Sequence, residues 1–328
     1  MVGRDEFELI ARYFAPLAQG VPGAFGLLDD AALVSPAAGC ELVAKTDAVV
    51  AGVHFLPDDP PDLVARKALR VNLSDLAAKG AVPRAYLLAL MLPESVGEDW
   101  LAAFARGLAA DQQEYAVHLI GGDTNATPGP VTIAVMALGE VPAGQMIRRS
   151  GAREGDTLFL TGTLGDAALG LEALRGVWPG LDAGAAAFLA DRYRLPRPRL
   201  ALGPKLRGLA SAAIDVSDGL LADLAHLCEA SRLSAVVESA RMPLSAAVSA
   251  ALALRPACIE AVLTGGDDYE ILFTAPAEAA AALSALSRSL GVPITPIGRM
   301  QAGEGGKVVA LDASGQPLAF RRAGWTHF

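Results

Sequence analysis

The sequence predicts an α/β protein of two domains, each with its own sheet. The chain has 328 residues, of which 52% are apolar and 19% charged, so each domain can bury a core. Apolar stretches of strand length alternate with amphipathic stretches of helix length, which is typical of α/β or α+β folds. A segment rich in Gly and Arg, 142–156, is the predicted boundary, and the domains are expected to span 1–145 and 146–328.

Composition excludes several classes of function. The net charge is 27 − 36 = −9, which argues against a nucleic acid or an anionic membrane as partner. Acidic residues interrupt the apolar N-terminal stretch, and no apolar run approaches the ~20 residues that span a bilayer. The three cysteines form no C-x-x-C pair, so neither a disulfide framework nor a zinc site is indicated. We expect a cytoplasmic protein with no nucleic-acid and no membrane partner.

The first domain is predicted to open with a helix, because apolar residues recur at helical spacing from Phe7 to Phe14. Two short strands, 41–44 and 48–50, are expected on either side of Lys45-Thr46-Asp47. The remaining elements are a helix at 62–79, a strand at 85–92, a helix towards Tyr115 opened by a capping box of Ser95 and Glu98, and strands at 118–120 and 131–138.

The second domain shows the same alternation. Its predicted strands are 157–161, 212–216, 270–274, 294–297 and 307–311. Its predicted helices are 166–175, one after Pro196 and Pro198, 220–231 and 278–290.

Acidic residues recur where predicted strands end, beside Gly, Ser or Thr. The five places are Asp29-Asp30, Thr46-Asp47, Gly121-Gly122-Asp123, Asp215-Val216-Ser217-Asp218 and Gly265-Gly266-Asp267-Asp268. Each alone is explained by a turn or a helix cap, in which Asp and Gly are common. Five such places in one chain favour a shared carboxylate cluster, because strand ends present functional groups from a rigid scaffold.

Asp75 supports this interpretation. It lies on the 62–79 helix on the same stripe as Val64, Ala68 and Val71, so its carboxylate faces the core and needs a partner. That partner is either a buried arginine or a cation. Carboxylates without Cys and with few His favour a hard cation such as Mg²⁺.

Phosphate-binding motifs are sparse. The sequence has no Gly-x-x-x-x-Gly-Lys-Ser/Thr motif, and the strand–helix turn at 161–166 is a weak anion site. Arg148-Arg149 is a better candidate, because a guanidinium matches phosphate oxygens, although exposed linker charges explain it equally well. His54 follows an acidic motif, and packing in a turn is the alternative to ligand binding.

The ordered set of motifs resembles the thiamine-monophosphate kinase family. The resemblance rests on Asp29-Asp30, 45–47 through 52–55, Asn72-Leu73-Ser74-Asp75, Gly121-Gly122-Asp123-Thr124, Arg149-Ser150-Gly151, 215–219, 265–270 and the ending Gly324-Trp325-Thr326-His327-Phe328. It implies phosphoryl transfer from ATP to thiamine monophosphate, which yields thiamine diphosphate.

The resemblance also implies the two-domain fold of aminoimidazole ribonucleotide synthetase. In that fold the N-terminal domain forms a homodimer, and ATP and several Mg²⁺ ions bind between the domains. The implied metal ligands are Asp30, Thr46, Asp47, Asp75, Asp123, Asp215 and Asp218. The implied ATP contacts are Gly122, Asp123, Arg149 and Ser217, and the implied substrate contacts are His54, Asp267 and Arg322.

No general base is expected, because the second pKa of a phosphate is ~6 and the attacking phosphate oxygen is already ionised near pH 7. The task is instead to overcome repulsion between two polyanions by charge and alignment. The alternatives are another ATP-using synthetase of the same fold and a nucleotide-binding homologue with weakened catalysis.

Four positions depart from the family's pattern. Leu28 replaces a glycine before the paired acids, so a changed backbone course is expected there. Lys45 replaces a small hydroxyl residue and is expected to contact a phosphate rather than a metal. Asp267 replaces a glutamate and Arg322 an aromatic residue, which we expect to alter substrate affinity rather than reaction type.

The acidic surplus is concentrated in these motifs. Setting aside ten motif acids leaves 27 − (36 − 10) = +1. We therefore expect one acidic site that Mg²⁺ and nucleotide neutralise. The ten acids are Asp29, Asp30, Asp47, Asp75, Asp123, Asp215, Asp218, Asp267, Asp268 and Glu270.

Overall fold

The computed structural model describes residues 6–320 and Gly324. These residues form two compact units, one running to Leu76 and from Ala81 to Gly144, the other comprising Ala77–Gly80 and the chain from Gln145. Each unit contains helices and a sheet, as the fold class requires. Within the described residues, no helix has both the length and the apolar character needed to cross a membrane.

The first unit is built on a four-stranded sheet. Its elements are α1 (Glu6–Leu9), β1 (Cys40–Val50), α2 (Pro61–Ala78), β2 (Val82–Leu92), α3 (Glu98–Tyr115), β3 (His118–Ala126) and β4 (Thr132–Pro142). The strand order is β1-β4-β2-β3, with β2 and β3 parallel and the other pairs antiparallel. The helix predicted at 62–79 is α2, which ends at Ala78, two residues before Gly80.

Three local predictions in this unit are wrong. The two short strands are one strand, β1, because Lys45, Thr46 and Asp47 pair in register with β4. The strand predicted at 118–120 is too short, because β3 continues to Ala126 and pairs with β2 along that length. The capping box is absent because α3 begins at Glu98, directly after an N-cap at Gly97 that makes no side-chain hydrogen bond.

The predicted N-terminal helix is irregular. After α1 the chain continues as a π-turn, Ile10–Phe14, and then as 3₁₀ turns at Ala15–Ala18 and Pro22–Leu27. Phe14 is buried, whereas Phe7 is exposed. The apolar spacing therefore identified a helical segment, although not all of its apolar residues are buried.

The second unit has a six-stranded sheet. Its elements are β5 (Thr157–Thr161), α4 (Asp166–Leu174), α5 (Ala183–Arg194), β6 (Ala212–Asp215), α6 (Leu220–Ser231), β7 (Ser234–Glu238), α7 (Ala246–Leu254), α8 (Ile259–Thr264), β8 (Ile271–Ala275), α9 (Ala280–Leu290), β9 (Ile294–Gln301) and β10 (Val308–Leu311). The strand order is β10-β7-β9-β5-β8-β6, and β10–β7 is its parallel pair among the described strands.

Both faces of this sheet are covered. Leu158 and Leu160 of β5 pack into one apolar core, whereas Phe159 packs into a second core, where it stacks on Phe273. Burial on both faces explains why these strands read as continuous apolar runs.

The prediction missed several elements of the second unit, namely α5, β7, α7 and α8. The Ala-rich α7 lacks a polar face, so its sequence carries little helical periodicity. The helix expected after Pro198 is only a 3₁₀ turn at Gly203–Leu206 with Pro204 inside it.

Candidate functional site

A cavity in the first unit collects several of the predicted site residues. Its volume is ≈ 810 Å³, and its lining includes Asp29, Asp30, Thr46, Gly122 and Asp123. The acids are exposed rather than paired in the core. Apolar side chains from the N-terminal segment and from the sheet complete the walls. The cavity therefore combines carboxylates and a hydroxyl with a surface that accepts an apolar group.

The turn before the paired acids contains unusual backbone. Phe25 and Leu27 have φ values of 49° and 60°, which are uncommon for residues with bulky side chains. Leu28 has φ −104°, so the position where we expected a changed course is itself relaxed. Its neighbours carry the strain, and Leu28 is 92% exposed. The backbone N–H of Asp30 donates to the Asp29 carboxylate at 2.8 Å, which orients that side chain.

Gly122 lies where β3 approaches β2 closely. A Cβ atom at this position would come 1.9 Å from the carbonyl oxygen of Leu88. Glycine is therefore required for the pairing that presents Asp123 to the cavity. Asn125 donates to the Asp123 carboxylate and holds it.

The other face of β1 carries an ion-paired group. The Lys45 ammonium lies 2.9 Å from Asp75 Oδ2 and 3.1 Å from Asp47 Oδ1. Burial lowers the pKa of Lys45, but the charges of Asp75 and Asp47 outweigh it, and the net shift is upward. Asn72 accepts the backbone N–H of Asp47 at 2.9 Å and fixes β1 against α2. The sequence left the partner of Asp75 open between a buried arginine and a cation. In the structure Asp75 forms an ion pair with Lys45 instead of an arginine.

The alternation of β1 separates the predicted metal ligands. Thr46 lines the cavity and donates to the Val135 carbonyl at 3.0 Å, whereas Lys45 and Asp47 contact the α2 side. Within residues 6–320 and Gly324, no group of three or more His, Cys, Asp or Glu side chains is assembled that could hold a metal.

The cavity donors nevertheless suit Mg²⁺ in kind. Asp30, Thr46 and Asp123 offer hard oxygen atoms, and Mg²⁺ is commonly held by one or two carboxylates completed by substrate phosphates and water. The Asp47–Asp75 pair does not fit in the same way, because an ammonium already contacts both carboxylates.

His54 lies in the turn that follows β1. Its Nδ1 accepts the backbone N–H of Val50 at 3.1 Å, and the backbone N–H of His54 donates to the Val50 carbonyl at 2.9 Å. The ring is half-buried and held by the turn. The turn holds the ring and fixes the direction in which the imidazole points, and ligand binding by His54 stays a prediction.

In the second unit, Asp223 organises the loop between β6 and α6. Its Oδ2 accepts the backbone N–H groups of Ser217, Asp218 and Gly219 at 2.9, 3.0 and 3.2 Å. Burial raises the pKa of Asp223, and the charges of Asp215 and Asp218 add to the rise, whereas the backbone donors oppose it. The sequence analysis missed Asp223. Its position four residues after Gly219, on the first turn of a helix, was the available signal.

A second loop packs on the first. Asp267 N–H donates to the Ser217 carbonyl at 2.9 Å, and Tyr269 N–H donates to that of Val216 at 2.8 Å. Asp267 and Tyr269 adopt φ values of 73° and 51°, a conformation that costs energy in a residue with an aromatic side chain. A Cβ on Gly266 would come 2.1 Å from the Ser217 carbonyl oxygen. The structure thus brings Ser217, next to Asp218, together with Asp267.

Glu270 follows this loop but serves a different purpose. It is fully buried and accepts from Arg199 Nε at 2.6 Å, from Arg192 at 3.2 Å and from Thr161 at 2.7 Å. Its charge is therefore neutralised by arginines within the unit. The expectation that all ten motif acids form one open acidic site is not met, because Glu270 and the acids beside Lys45 have protein counter-ions.

Asp268 is bound by the strand–helix turn at 161–166, which the sequence predicts to be a weak anion site. The backbone N–H groups of Gly165 and Ala167 donate to its carboxylate at 2.7 and 3.1 Å. The strand–helix turn at 161–166 therefore binds a carboxylate of the same chain. Burial raises the pKa of Asp268 to about 8 despite these two donors and Arg192.

Three predicted site residues remain, namely Arg149, Asp215 and Arg322. Arg149 is exposed, and its carbonyl accepts the Ser231 hydroxyl at 3.1 Å, which ties its backbone to the end of α6. Asp215 is buried at the end of β6. Arg322 and residues 325–328 of the predicted ending lie outside the described residues.

Comparison with known proteins also finds two domains in this chain. The description "AIR synthase related protein, N-terminal domain" matches residues 28–141, and the corresponding C-terminal domain matches 153–310. A thiamine-monophosphate kinase of Caulobacter vibrioides is 43% identical over 325 residues, covering 98% of this chain and 90% of the relative.

Two solved structures are similar over most of the chain. The crystal structure of thiamine-monophosphate kinase from Stenotrophomonas maltophilia has a TM-score of 0.84 and 41% identity, covering 95% of this chain and 98% of the other. AaThiL complexed with AMPPCP and TMP has a TM-score of 0.78 and 32% identity, covering 98% and 97%.

Proposed function

Since this chain belongs to the thiamine-monophosphate kinase family, we propose that it transfers the γ-phosphoryl group of ATP to the phosphate of thiamine monophosphate. The products are thiamine diphosphate and ADP. The observation that carries this conclusion is the 43% identity to a thiamine-monophosphate kinase over 98% of the chain. A relative of the same fold that is complexed with AMPPCP and TMP supports the identity of both substrates.

The chemistry needs charge and alignment rather than a proton acceptor. The acceptor phosphate has a second pKa of ~6 and supplies its own ionised oxygen. Donor and acceptor are both polyanions, so the barrier lies in bringing them together in line. When bound, Mg²⁺ supplies positive charge that offsets this repulsion.

Several residues of the chain are proposed to hold Mg²⁺. In the first unit they are Asp30, Thr46 and Asp123, which line one cavity and offer oxygen donors. In the second unit they are Asp215 and Asp218, at the loop that Asp223 holds. Asp47 and Asp75 belong to the same set by resemblance, but their contact with Lys45 changes what they can bind.

The nucleotide and substrate contacts are proposed on the same basis. Gly122 and Asp123 lie at the cavity, and Ser217 lies in a loop whose backbone is fixed from both sides. Arg149 offers an exposed guanidinium suited to phosphate. His54, Asp267 and Arg322 are the proposed contacts for thiamine monophosphate.

A homodimer and a cytoplasmic location complete the proposal. The family resemblance supports the dimer, as does the exposure of Leu28 and Leu33 in the first unit, at 92 and 67%. Neither another ATP-using synthetase nor a weakened homologue is favoured by an observation of its own.

The test is ADP release by the full chain in the presence of ATP and Mg²⁺, with and without thiamine monophosphate. We expect release that depends on thiamine monophosphate and falls at least tenfold in Asp218→Asn, whereas Glu278→Gln, at an exposed position, is the matched control. Release that is independent of thiamine monophosphate would favour another activity of the fold.

A further inference from the structure

Lys45 stands between the carboxylates of Asp47 and Asp75, which the family resemblance implies as metal ligands. Its Nζ lies 2.9 Å from Asp75 Oδ2 and 3.1 Å from Asp47 Oδ1. Both distances are those of charge-assisted hydrogen bonds. The Asp75 carboxylate is 12% exposed and that of Asp47 40%, whereas the Lys45 side chain is 28% exposed. The ammonium thus fills the inner end of a partly enclosed acidic pair.

The packing of β1 against α2 sets the position of this ammonium. Lys45 and Asp47 are two residues apart on β1 and point to the same face. Asp75 reaches that face from α2, one turn after Asn72, which binds the backbone of Asp47 at 2.9 Å. The strand and the helix are therefore locked in the register that brings all three charges together.

A divalent ion and an ammonium cannot both sit between these oxygens. A cation held by both carboxylates would lie at the place that Nζ now takes, and like charges at such a distance repel strongly in a partly enclosed site. Releasing Lys45 would break two charge-assisted bonds of a half-buried group. The chain therefore carries its own counter-cation for Asp47 and Asp75.

We propose that Lys45 replaces one Mg²⁺ ion of the phosphoryl-transfer site, so that Asp47 and Asp75 bind its ammonium and not a metal. The proposal rests on the proposed function, because it concerns the metal content of that same site. It assigns Lys45 as a positioning residue, which holds Asp47 and Asp75 in place and lowers the number of divalent ions that the site takes up.

The experiment counts Mn²⁺ ions, as a spectroscopic substitute for Mg²⁺, by electron paramagnetic resonance on the full chain with a non-hydrolysable ATP analogue. The variants are Lys45→Ser, which removes the ammonium, and Lys45→Arg, which keeps a positive charge. We expect Lys45→Ser to bind one more Mn²⁺ per chain than the wild type and Lys45→Arg to bind the same number. An unchanged count in Lys45→Ser would overturn the proposal.

A second variant keeps the test decisive if Lys45→Ser does not fold. Asp75→Asn removes one carboxylate of the pair, and the proposal expects it to leave the Mn²⁺ count of the chain unchanged. Loss of one Mn²⁺ in Asp75→Asn would show that Asp75 binds a metal, which contradicts the proposal. If the wild type binds neither the analogue nor Mn²⁺, the proposed function fails instead, so the two failures are distinguishable.

Discussion

Removing the Asp223 carboxylate should loosen the loop that carries Ser217 and Asp218. One oxygen of this buried side chain accepts three backbone N–H groups, at 2.9, 3.0 and 3.2 Å. At about 1 kcal/mol of net stability for each hydrogen bond, Asp223→Ala loses about 3 kcal/mol locally. A factor of ten in an equilibrium constant is about 1.4 kcal/mol, so the three amides should exchange with solvent roughly a hundredfold faster.

Asp223→Asn separates hydrogen bonding from charge. Its carbonyl oxygen can accept the same three N–H groups, and it lacks the charge that burial and the neighbouring acids disfavour. We expect its stability to lie within about 1 kcal/mol of the wild type. A matched control is Asp182→Ala, which removes a helix cap with one bond at 3.1 Å on the surface and should cost about 1 kcal/mol.

The assay is hydrogen–deuterium exchange of the 217–219 amides, combined with chemical unfolding of each variant. We expect Asp223→Ala to lose more stability than either Asp182→Ala or Asp223→Asn, and we expect fast loop exchange only in Asp223→Ala. Equal loss in the two Asp223 variants would refute this expectation, because the hydrogen bonds would then not be the cause.

Three further predictions follow from buried groups and close contacts. Glu270→Gln should destabilise the protein by about 3–5 kcal/mol in urea unfolding, because Arg192 and Arg199 lose their counter-ion. The control Glu238→Gln breaks an exposed ion pair and should cost under about 1 kcal/mol. Equal losses of stability in the two variants would contradict this prediction. The pKa of Asp268 is raised from 3.8 to about 8, so its ionisation lowers the stability of the folded protein as pH rises through that interval. The free energy of unfolding of Asp268→Asn minus that of the wild type should therefore increase from pH 4 to pH 8. A constant difference would exclude that titration. Gly266→Ala puts a Cβ 2.1 Å from a carbonyl oxygen and should weaken binding of an ATP analogue at least tenfold by calorimetry. The control Gly97→Ala has open space around the added Cβ and should leave the affinity unchanged. Equal affinities in the two variants would show that the loop accommodates the added Cβ and would contradict the prediction.

Regular elements with dense apolar patterns were predictable from the sequence. The predicted bounds of β5 and α6 match the structure, and those of α2 are within one residue at each end. β5 is a continuous apolar run buried on both faces, and α6 has buried apolar residues at helical spacing, so both patterns are visible in the sequence. By contrast, β1 was divided in the prediction because Lys45, Thr46 and Asp47 are polar, and only pairing with β4 shows that they continue the strand.

The acidic motifs were visible in the sequence, whereas the pairings of their side chains were not. The acidic motifs were found from the sequence, and Asp30, Thr46 and Asp123 do line one cavity. The Lys45–Asp75 pair joins residues on different elements, so the packing of a strand against a helix determines it. Glu270 likewise reads as an open acid until Arg192 and Arg199 are brought to it by tertiary structure.

Phosphoryl transfer to thiamine monophosphate can be tested by following the γ-phosphate of ATP itself. ATP labelled with ³²P at the γ position is incubated with the full chain, Mg²⁺ and thiamine monophosphate, and the products are separated by chromatography. We expect the label to appear in thiamine diphosphate in proportion to the ADP formed. Label found only in inorganic phosphate, or no transfer at all, would contradict it.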